Sequence, residues 1–186
     1  MRHPQTPVLT ASEENYLKAL HALTEWENDP VTTGNIAAQL GVAPASATSM
    51  VAKLAGKELV VHPRYGAIEF TPAGRLAALS VVRRHRLIET FLLSELGYSW
   101  DEVHNEAEQL EHVVSERLIQ RMDEMLGRPE VDPHGDPIPD AHGTFPQREL
   151  HTLLTCPLHV PVTVMRVADQ DASFLRFVES NQLKPG

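Results

Sequence analysis

TGNIAAQLGVAPASATSMVAKLA, residues 33–55, carries apolar side chains with the spacing of two short helices. The pattern predicts helices at 33–40 and at about 44–55, because Gly41 and Pro44 interrupt it and favour a tight turn. Two helices joined in this way form a helix-turn-helix, whose second helix lies in the major groove of DNA. A helical hairpin without a ligand is the alternative that this segment alone leaves open.

A β-hairpin is predicted directly after these helices. The β-rich runs 59–62 and 67–70 flank a turn that contains Gly66, so the whole segment reads as a winged helix-turn-helix. Its second helix carries short side chains, which can approach phosphates, bases and thymine methyl groups. We expect DNA to be contacted by Thr33, Ala43, Pro44, Ala45, Ser46, Thr48, Ser49 and Lys53, and by Arg64 at the tip of the hairpin.

The net charge of the chain argues at first against nucleic acid, because phosphate binding needs basic groups. The chain has 16 Lys and Arg against 25 Asp and Glu, a formal charge of −9. Residues 31–88, however, contain seven basic and only two acidic residues, which gives +5. We interpret this segment as a basic, DNA-facing module in an acidic protein. A solvated helix surface around Arg83, Arg84 and Arg86 is the alternative.

Composition excludes several classes of protein. With 42% hydrophobic and 22% charged residues among 186, the chain is typical of a globular protein. A single cysteine, Cys156, excludes an internal disulfide framework and a cysteine-rich zinc finger. No apolar run approaches the roughly 18 residues of a membrane helix, and the first residues lack a secretory signal. We therefore expect a cytoplasmic protein without a membrane partner.

The remaining elements are predicted to be mainly helical. A first helix at about 11–27 would be capped by Ser12, and a long helix would begin at Thr71-Pro72 and end near Leu96. The capping box Ser99–Glu102 would open one helix that continues to about Leu126. Beyond it we expect a Pro- and Gly-rich loop at 127–146, a strand at 160–167 and a helix at about 171–181.

Histidines and carboxylates occupy faces of these helices that should be buried. His85 and Glu89 lie one turn apart on the apolar face of the long helix. On the next predicted helix, His104, Glu108 and Glu111 share a face, with His112 at its edge. Buried carboxylates must be neutralised, either by protonated histidine or by a divalent cation. Imidazole with carboxylate suits Mn, Fe, Co, Ni or Zn, and six such ligands are enough for two sites.

Four stretches of the chain resemble a known family. They are ENYL at 14–17, RHRLIE at 84–89, VHNEAEQLEHV at 103–113 and DPHGDPIP at 132–139, in addition to the winged helix-turn-helix. On these motifs, residues 10–142 resemble the diphtheria toxin repressor family of metal-dependent transcriptional repressors, including its manganese transport regulator branch. Metal binding in that family orders a dimer whose two winged helices reach DNA.

The resemblance implies a domain organisation. It gives a winged helix-turn-helix DNA-binding domain at 1–73, a helical metal-binding and dimerisation domain at 74–143, and a linker with the start of a small SH3-like β domain at 144–186. The protein would be a homodimer that binds a pseudo-palindromic operator in double-stranded DNA. It would repress metal-uptake genes and would not be an enzyme.

The resemblance also implies two metal sites. One would use His85, Glu89 and His104, and the other Glu108, Glu111 and His112 together with Asn15 of the first helix. The position of Asn15 is usually Met in iron sensors and Asp in manganese sensors. Ligands of oxygen and nitrogen without sulfur favour Mn(II), with Fe(II) as the alternative, while Co, Ni, Zn or Cd could substitute in vitro.

The sequence leaves two other functions open. In the first, the chain is a winged-helix regulator with a non-metal effector, and its His and Glu residues are structural. In the second, it is a helical di-metal carboxylate enzyme. Such enzymes need Glu-x-x-His on two helices, whereas neither Glu108 nor Glu111 is followed by His at the third position.

Overall fold

The structure of the chain is a computed structural model, which describes residues 8–26, 29–63, 66–145, 150–168 and 171–185. The elements are α1 (Ala11–Trp26), α2 (Thr33–Leu40), α3 (Pro44–Gly56), β1 (Val60–Val61), β2 (Glu69–Phe70), α4 (Pro72–Leu96), α5 (Val103–Leu110), α6 (Glu116–Met125) and α7 (Ala172–Ser180). The chain divides into two compact units, 1–82 and 83–186. The predicted domain boundary at 73/74 lies earlier than this division.

The first unit contains the predicted helix-turn-helix. Thr32 caps α2, because its side chain accepts a hydrogen bond from the Asn35 amide while the Asn35 side chain accepts one from the Thr32 amide. Gly41 ends α2 with φ of 63°, a left-handed conformation that glycine adopts without strain. The turn then leads into α3, which begins at Pro44. The two predicted helices are confirmed.

A short antiparallel hairpin follows α3 and confirms the predicted wing. Val60 pairs with Phe70, and Val61 pairs with Glu69. Arg64 and Tyr65 at the tip lie outside the described residues. The apolar core of this unit is formed by α1, α2, α3 and the hairpin, with Leu17, Leu20, Ile36, Val51, Leu54, Leu59 and Ile68 all buried.

The cap of α1 differs from the predicted one. The helix begins at Ala11, one residue before the expected cap Ser12. Thr10 takes this role, because its hydroxyl accepts a hydrogen bond from the Glu13 amide at 3.3 Å. In return, the Glu13 carboxylate accepts the Thr10 amide at 2.8 Å. The sequence pattern T-x-x-E at 10–13 is a capping box, and it outweighs Ser12 as a start signal.

The single helix predicted from about 101 to 126 is wrong, because the chain forms α5 and α6 there. The segment 111–115 is a turn between them. Ser115 is extended and caps α6, since its side chain accepts a hydrogen bond from the Leu118 amide. The helix periodicity of the His and Glu residues therefore ends at Leu110, and Glu111 and His112 lie in the turn.

The C-terminal part follows the prediction for α7 but not for the strand. Residues 160–168 form no strand within the described part of the chain, because the segment has no strand there to pair with. Instead the Val167 amide donates a hydrogen bond to the carbonyl oxygen of His134. Gly135 makes this approach possible, since a Cβ atom at that position would lie 1.9 Å from the Met165 oxygen. The start of an SH3-like domain stays a prediction.

Over the described ranges, none of the helices combines the length and the apolar character needed to cross a bilayer.

Candidate metal centre

His85 lies between two buried carboxylates in the second unit. Its Nδ1 atom is 2.5 Å from Oε2 of Glu111, and its Nε2 atom is 2.8 Å from Oε1 of Glu89. Both glutamates are fully buried, and His85 is nearly so. The turn after α5 brings Glu111 to the face of α4, so one imidazole joins residues that the sequence assigned to two separate sites.

His104 on α5 completes the first predicted group. Its Nδ1 atom is 3.1 Å from Oε1 of Glu89 and 3.2 Å from Nε2 of His85. One potential ligand atom from each of His85, Glu89 and His104 lies within 4.8 Å of the others, which is close enough for a shared ion. Their assignment as metal ligands stays a prediction.

The second predicted group is arranged differently from the expectation. Ligand atoms of Glu108 and Glu111 come together with His85. The Nε2 atom of His112 is 3.3 Å from Oε1 of Glu111, so His112 reaches this cluster from its edge. Asn15 lies on α1, in the other compact unit, and its role as a ligand stays a prediction.

A third group was missed by the sequence analysis. Glu89, Asp132 and His134 place ligand atoms within 4.8 Å of one another, and all three residues are buried. The atoms Oε2 of Glu89, Oδ2 of Asp132 and Nδ1 of His134 have no hydrogen-bond partner among the described residues. Asp132 and His134 lie in the Pro- and Gly-rich loop, where no helical or strand periodicity marks a buried face. The signal in the sequence was chemical, an Asp and a His inside the DPHGDPIP motif.

The loop and Trp100 hold His134 in an orientation that suits a metal ligand. The Nε2 atom of His134 lies 3.3 Å from the carbonyl oxygen of Trp100, and the two rings stack with centroids 5.5 Å apart. A ring that donates from Nε2 to this carbonyl leaves Nδ1 with a lone pair, directed towards Glu89. The Trp100 indole N–H also donates to the carbonyl of Pro133 at 2.9 Å.

Electrostatics in this group favour a bound cation. Burial works to raise the pKa of Glu89, but the imidazoles of His85 and His104 outweigh it and hold that pKa well below its ordinary value. Burial, followed by the charges of Glu89 and Asp136, raises the pKa of Asp132 well above its ordinary value. Burial likewise lowers the pKa of His134. Nε of Arg86 lies 3.8 Å from Oδ2 of Asp132 and offsets part of this negative charge. Two buried carboxylates beside an imidazole of lowered pKa are still surroundings in which a dication lowers the free energy.

The ligand types fit a divalent transition metal. The groups supply carboxylate oxygen and imidazole nitrogen, and Cys156 belongs to none of them. Such donors suit Mn(II) and Fe(II), whereas Mg and Ca prefer shells of oxygen alone. The fit rests on the three buried atoms that have no hydrogen-bond partner in the described part of the chain.

The residues predicted to contact DNA lie mainly on the exposed side of α3. Ala43, Pro44, Ala45, Ser46, Thr48 and Ser49 are exposed, and Thr33 is half-buried. The Thr48 hydroxyl donates to the carbonyl oxygen of Pro44 within the helix. Lys53 is exposed but forms an ion pair with Glu13 of α1 at 3.3 Å. Their DNA contacts stay a prediction.

The structure does not support a basic module at residues 31–88. Arg83, Arg84 and Arg86 belong to the second unit, where Arg83 pairs with Asp123, Arg84 with Glu116, and Arg86 donates to the Pro137 carbonyl. Lys53 and Lys57 both pair with Glu13, which lies outside the counted segment. Five of the seven positive charges therefore have partners that a count along the chain could not reveal.

Comparison with known proteins gives matches over most of the chain. Residues 8–68 match the family described as "Iron dependent repressor, N-terminal DNA binding domain", and residues 71–140 match "Iron dependent repressor, metal binding and dimerisation domain". The iron-dependent repressor IdeR of Mycobacterium tuberculosis is 34% identical over 131 residues, which are 70% of this chain and 56% of that protein. The match thus spans little more than half of that relative's length.

Solved structures with the same fold are also similar in sequence. One, described as a manganese-dependent transcriptional repressor in complex with manganese, is 46% identical with a TM-score of 0.87, and the match covers 93% of this chain and 79% of that one. The structure of ScaR with bound Cd²⁺ is 33% identical with a TM-score of 0.81, and the match covers 94% of this chain and 81% of that one.

Proposed function

The chain belongs to the iron-dependent repressor family, and from this premise we propose that it is a metal-dependent DNA-binding transcriptional regulator. It represses genes of metal uptake when its own metal sites are filled. The enzyme alternative has no support, since the similar proteins are repressors. Since DNA is its target, we assign the protein to the cytoplasm.

One observation supports a metal effector over a non-metal one. The buried atoms Oε2 of Glu89, Oδ2 of Asp132 and Nδ1 of His134 face one another without hydrogen-bond partners among the described residues. A purely structural network of His and Glu would pair these atoms with each other, because a buried polar atom without a partner costs roughly 1–3 kcal/mol. A cation would satisfy all three at once.

We propose Mn(II) as the effector, with Fe(II) as the alternative. The donors in all three groups are oxygen and nitrogen, which favours a harder ion. A similar structure contains manganese, and another contains Cd²⁺, which agrees with substitution by softer ions in vitro. Glu89, Asp132 and His134 would hold one ion, and Glu108, Glu111 and His85 would contribute to a second.

The metal would act by selecting one arrangement of the ligand residues. In the structure, His85 is hydrogen-bonded to both Glu89 and Glu111, and Asp132 faces Glu89 across the cluster. A bound dication supplies positive charge, which favours the arrangement that brings these carboxylates together. Because the dication binds this arrangement most tightly, it increases the fraction of molecules that adopt it.

We propose that the chain works as a homodimer on a pseudo-palindromic operator. Two recognition helices spaced by one turn of DNA, roughly 34 Å, would contact the two half-sites. Exposed apolar side chains on and beside α6 support a second copy as the partner of this unit. They are Val113, Leu118 and Met125, which are 77%, 47% and 64% exposed.

The proposal is tested by selecting DNA with the purified chain. Genomic fragments would be bound in the presence of Mn(II), Fe(II), Co(II), Zn(II) or a chelator, and the retained fragments sequenced. We expect fragments upstream of metal-transport genes, with a shared inverted repeat, in the metal samples alone. Equal retention of the same fragments with chelator would instead favour the non-metal regulator.

A further inference from the structure

Glu13 forms an ion-pair cluster with both lysines of the recognition helix region. It is fully buried, and its Oε1 atom lies 2.7 Å from Nζ of Lys57 and 3.3 Å from Nζ of Lys53. The other carboxylate oxygen accepts the amide and the hydroxyl of Thr10. Lys57 also donates to the carbonyl oxygen of Val8. One carboxylate therefore fixes two cations and the start of α1.

Lys53 and Lys57 carry all of the positive charge of residues 43–57. Residues 43–57 contain two basic residues, Lys53 and Lys57, and no acidic residue. The exposed side chains at the start of α3, from Ala43 to Ser49, are uncharged. Any phosphate contact that α3 makes through a cation must therefore use a lysine that Glu13 already holds.

The first unit as a whole carries little excess charge. Residues 1–82 contain six basic and seven acidic residues. Sequence-independent DNA affinity comes almost entirely from phosphates neutralised by Lys and Arg. A unit with nearly balanced charge, whose helix lysines face a buried carboxylate, has a weak electrostatic attraction for arbitrary DNA.

Resting on the proposed DNA-binding function, we propose that Glu13 is a specificity-determining residue. It holds Lys53 and Lys57 against α1 and away from DNA phosphates, so that α3 meets DNA through the uncharged residues 43–49. This inference replaces the DNA contact predicted for Lys53 from the sequence. Binding to arbitrary sequences thereby stays weak, and recognition depends on the base contacts of the operator.

The cluster persists over the whole physiological pH range. Burial works against the charged carboxylate, but hydrogen bonds from Lys57, Thr10 and Lys53 outweigh it and lower the pKa of Glu13 to about 2. Glu13 therefore stays ionised, and phosphate must compete with a carboxylate that is already in place. The ion pairs are also less screened by salt than exposed pairs, because Glu13 is buried.

The test measures the affinity for a random-sequence duplex as a function of salt, for wild type and three variants. Glu13→Gln releases both lysines, and Glu58→Gln is the matched control, since it removes one negative charge from an exposed residue of the same unit. The double variant Lys53→Gln/Lys57→Gln removes the cations themselves. Circular dichroism and urea unfolding verify that each variant is folded.

We expect Glu13→Gln to bind random DNA more tightly than Glu58→Gln at low salt. Because Glu13→Gln gains one or two phosphate contacts per chain, a fourfold dilution of salt should raise its affinity about 3- to 12-fold more than it raises the affinity of Glu58→Gln. The double variant should keep the salt dependence of wild type, because Lys53 and Lys57 of the wild-type protein contact no phosphate. The ratio of operator to random-DNA affinity should fall in Glu13→Gln.

Two results would overturn the inference. Either Glu13→Gln has the salt dependence of Glu58→Gln, or the double variant has a weaker salt dependence than wild type, which would mean that the lysines do contact phosphates. If Glu13→Gln does not fold, the double variant decides alone. A wild type that binds no DNA, with or without metal, would contradict the proposed function itself and is recognised separately from these two results.

Discussion

Nδ1 of His85 lies 2.5 Å from Oε2 of Glu111, although the two residues are 26 positions apart in the chain. The same ring faces Glu89 through its other nitrogen, at 2.8 Å. His85 therefore contacts one carboxylate from each of the two metal sites predicted from the sequence, and we expect these sites to be coupled through it. A substitution at His85 should therefore alter metal binding at both predicted sites.

Metal binding should release a proton from His85. Both ring nitrogens of His85 face carboxylate oxygens, which accept hydrogen bonds when ionised. An imidazole can donate from both nitrogens only when both carry a proton, whereas an imidazole that binds a metal must be neutral. We expect wild type to release about one more proton per chain than His85→Asn when it is saturated with Mn(II). Calorimetric titrations in two buffers of different ionisation enthalpy give this number. Equal proton release by the two proteins would contradict the bridging role.

Asp132→Asn should reduce the stabilisation that metal provides. The substitution keeps the shape of the loop and the oxygen that accepts the amides of His134 and Asp136, but removes a charge beside Glu89. The metal-free protein should lose little stability, because removing the repulsion between Asp132 and Glu89 offsets the loss of the ion pair with Arg86 at 3.8 Å. The rise in thermal midpoint on adding Mn(II) should shrink, since metal binds less tightly. If Mn(II) raises the thermal midpoint of Asp132→Asn as much as that of wild type, Asp132 is not a metal ligand.

Trp100→Phe tests how His134 is positioned. Phenylalanine keeps an aromatic ring next to His134 but cannot donate to the Pro133 carbonyl, which now accepts the indole N–H at 2.9 Å. The main-chain carbonyl of Trp100 that faces Nε2 of His134 is kept, so the loss of metal affinity should be near the lower end of the roughly 10- to 100-fold range that is typical when a group that orients a ligand is removed. Metal titration calorimetry measures this affinity, and Trp26→Phe serves as the matched control. Equal affinities of the two variants would show that Trp100 does not orient the ligand.

The Glu13 cluster predicts a specific dependence of stability on pH. The folded pKa of Glu13 is about 2 against an ordinary value of 4.5, so its contribution is fully present above pH 4.5 and is lost as pH falls towards 2. The difference in unfolding free energy between wild type and Glu13→Gln should therefore shrink from pH 6 to pH 2.5. Urea unfolding at both values measures it. A constant difference would mean that Glu13 is not charged in the folded protein.

Local patterns predicted the DNA-binding unit well. The helix-turn-helix and the hairpin are specified by short-range signals, namely helix periodicity, Gly41 in the turn, Pro44 at a helix start and Gly66 between the β-rich runs. Each of these acts within a few residues. The structure therefore follows the sequence closely at 33–40 and 44–55.

The candidate metal centre was only partly predictable. Helix periodicity pointed to His85 and Glu89, which are buried on α4, and to His104, which is half-buried on α5. It failed where the helix ends, because the cap at Ser115 places Glu111 in a turn that reaches His85. It also missed Asp132 and His134, since their burial comes from a loop packed against Trp100 and not from a repeating pattern.

The most direct test measures operator affinity by fluorescence anisotropy, in Mn(II) and in chelator, for wild type and for the double variant Glu89→Gln/Asp132→Asn. We expect tight binding by wild type in Mn(II), loss of that binding on chelation, and weak binding by the double variant in both conditions. Wild-type affinity that is the same in Mn(II) and in chelator would contradict the central claim that metal controls DNA binding.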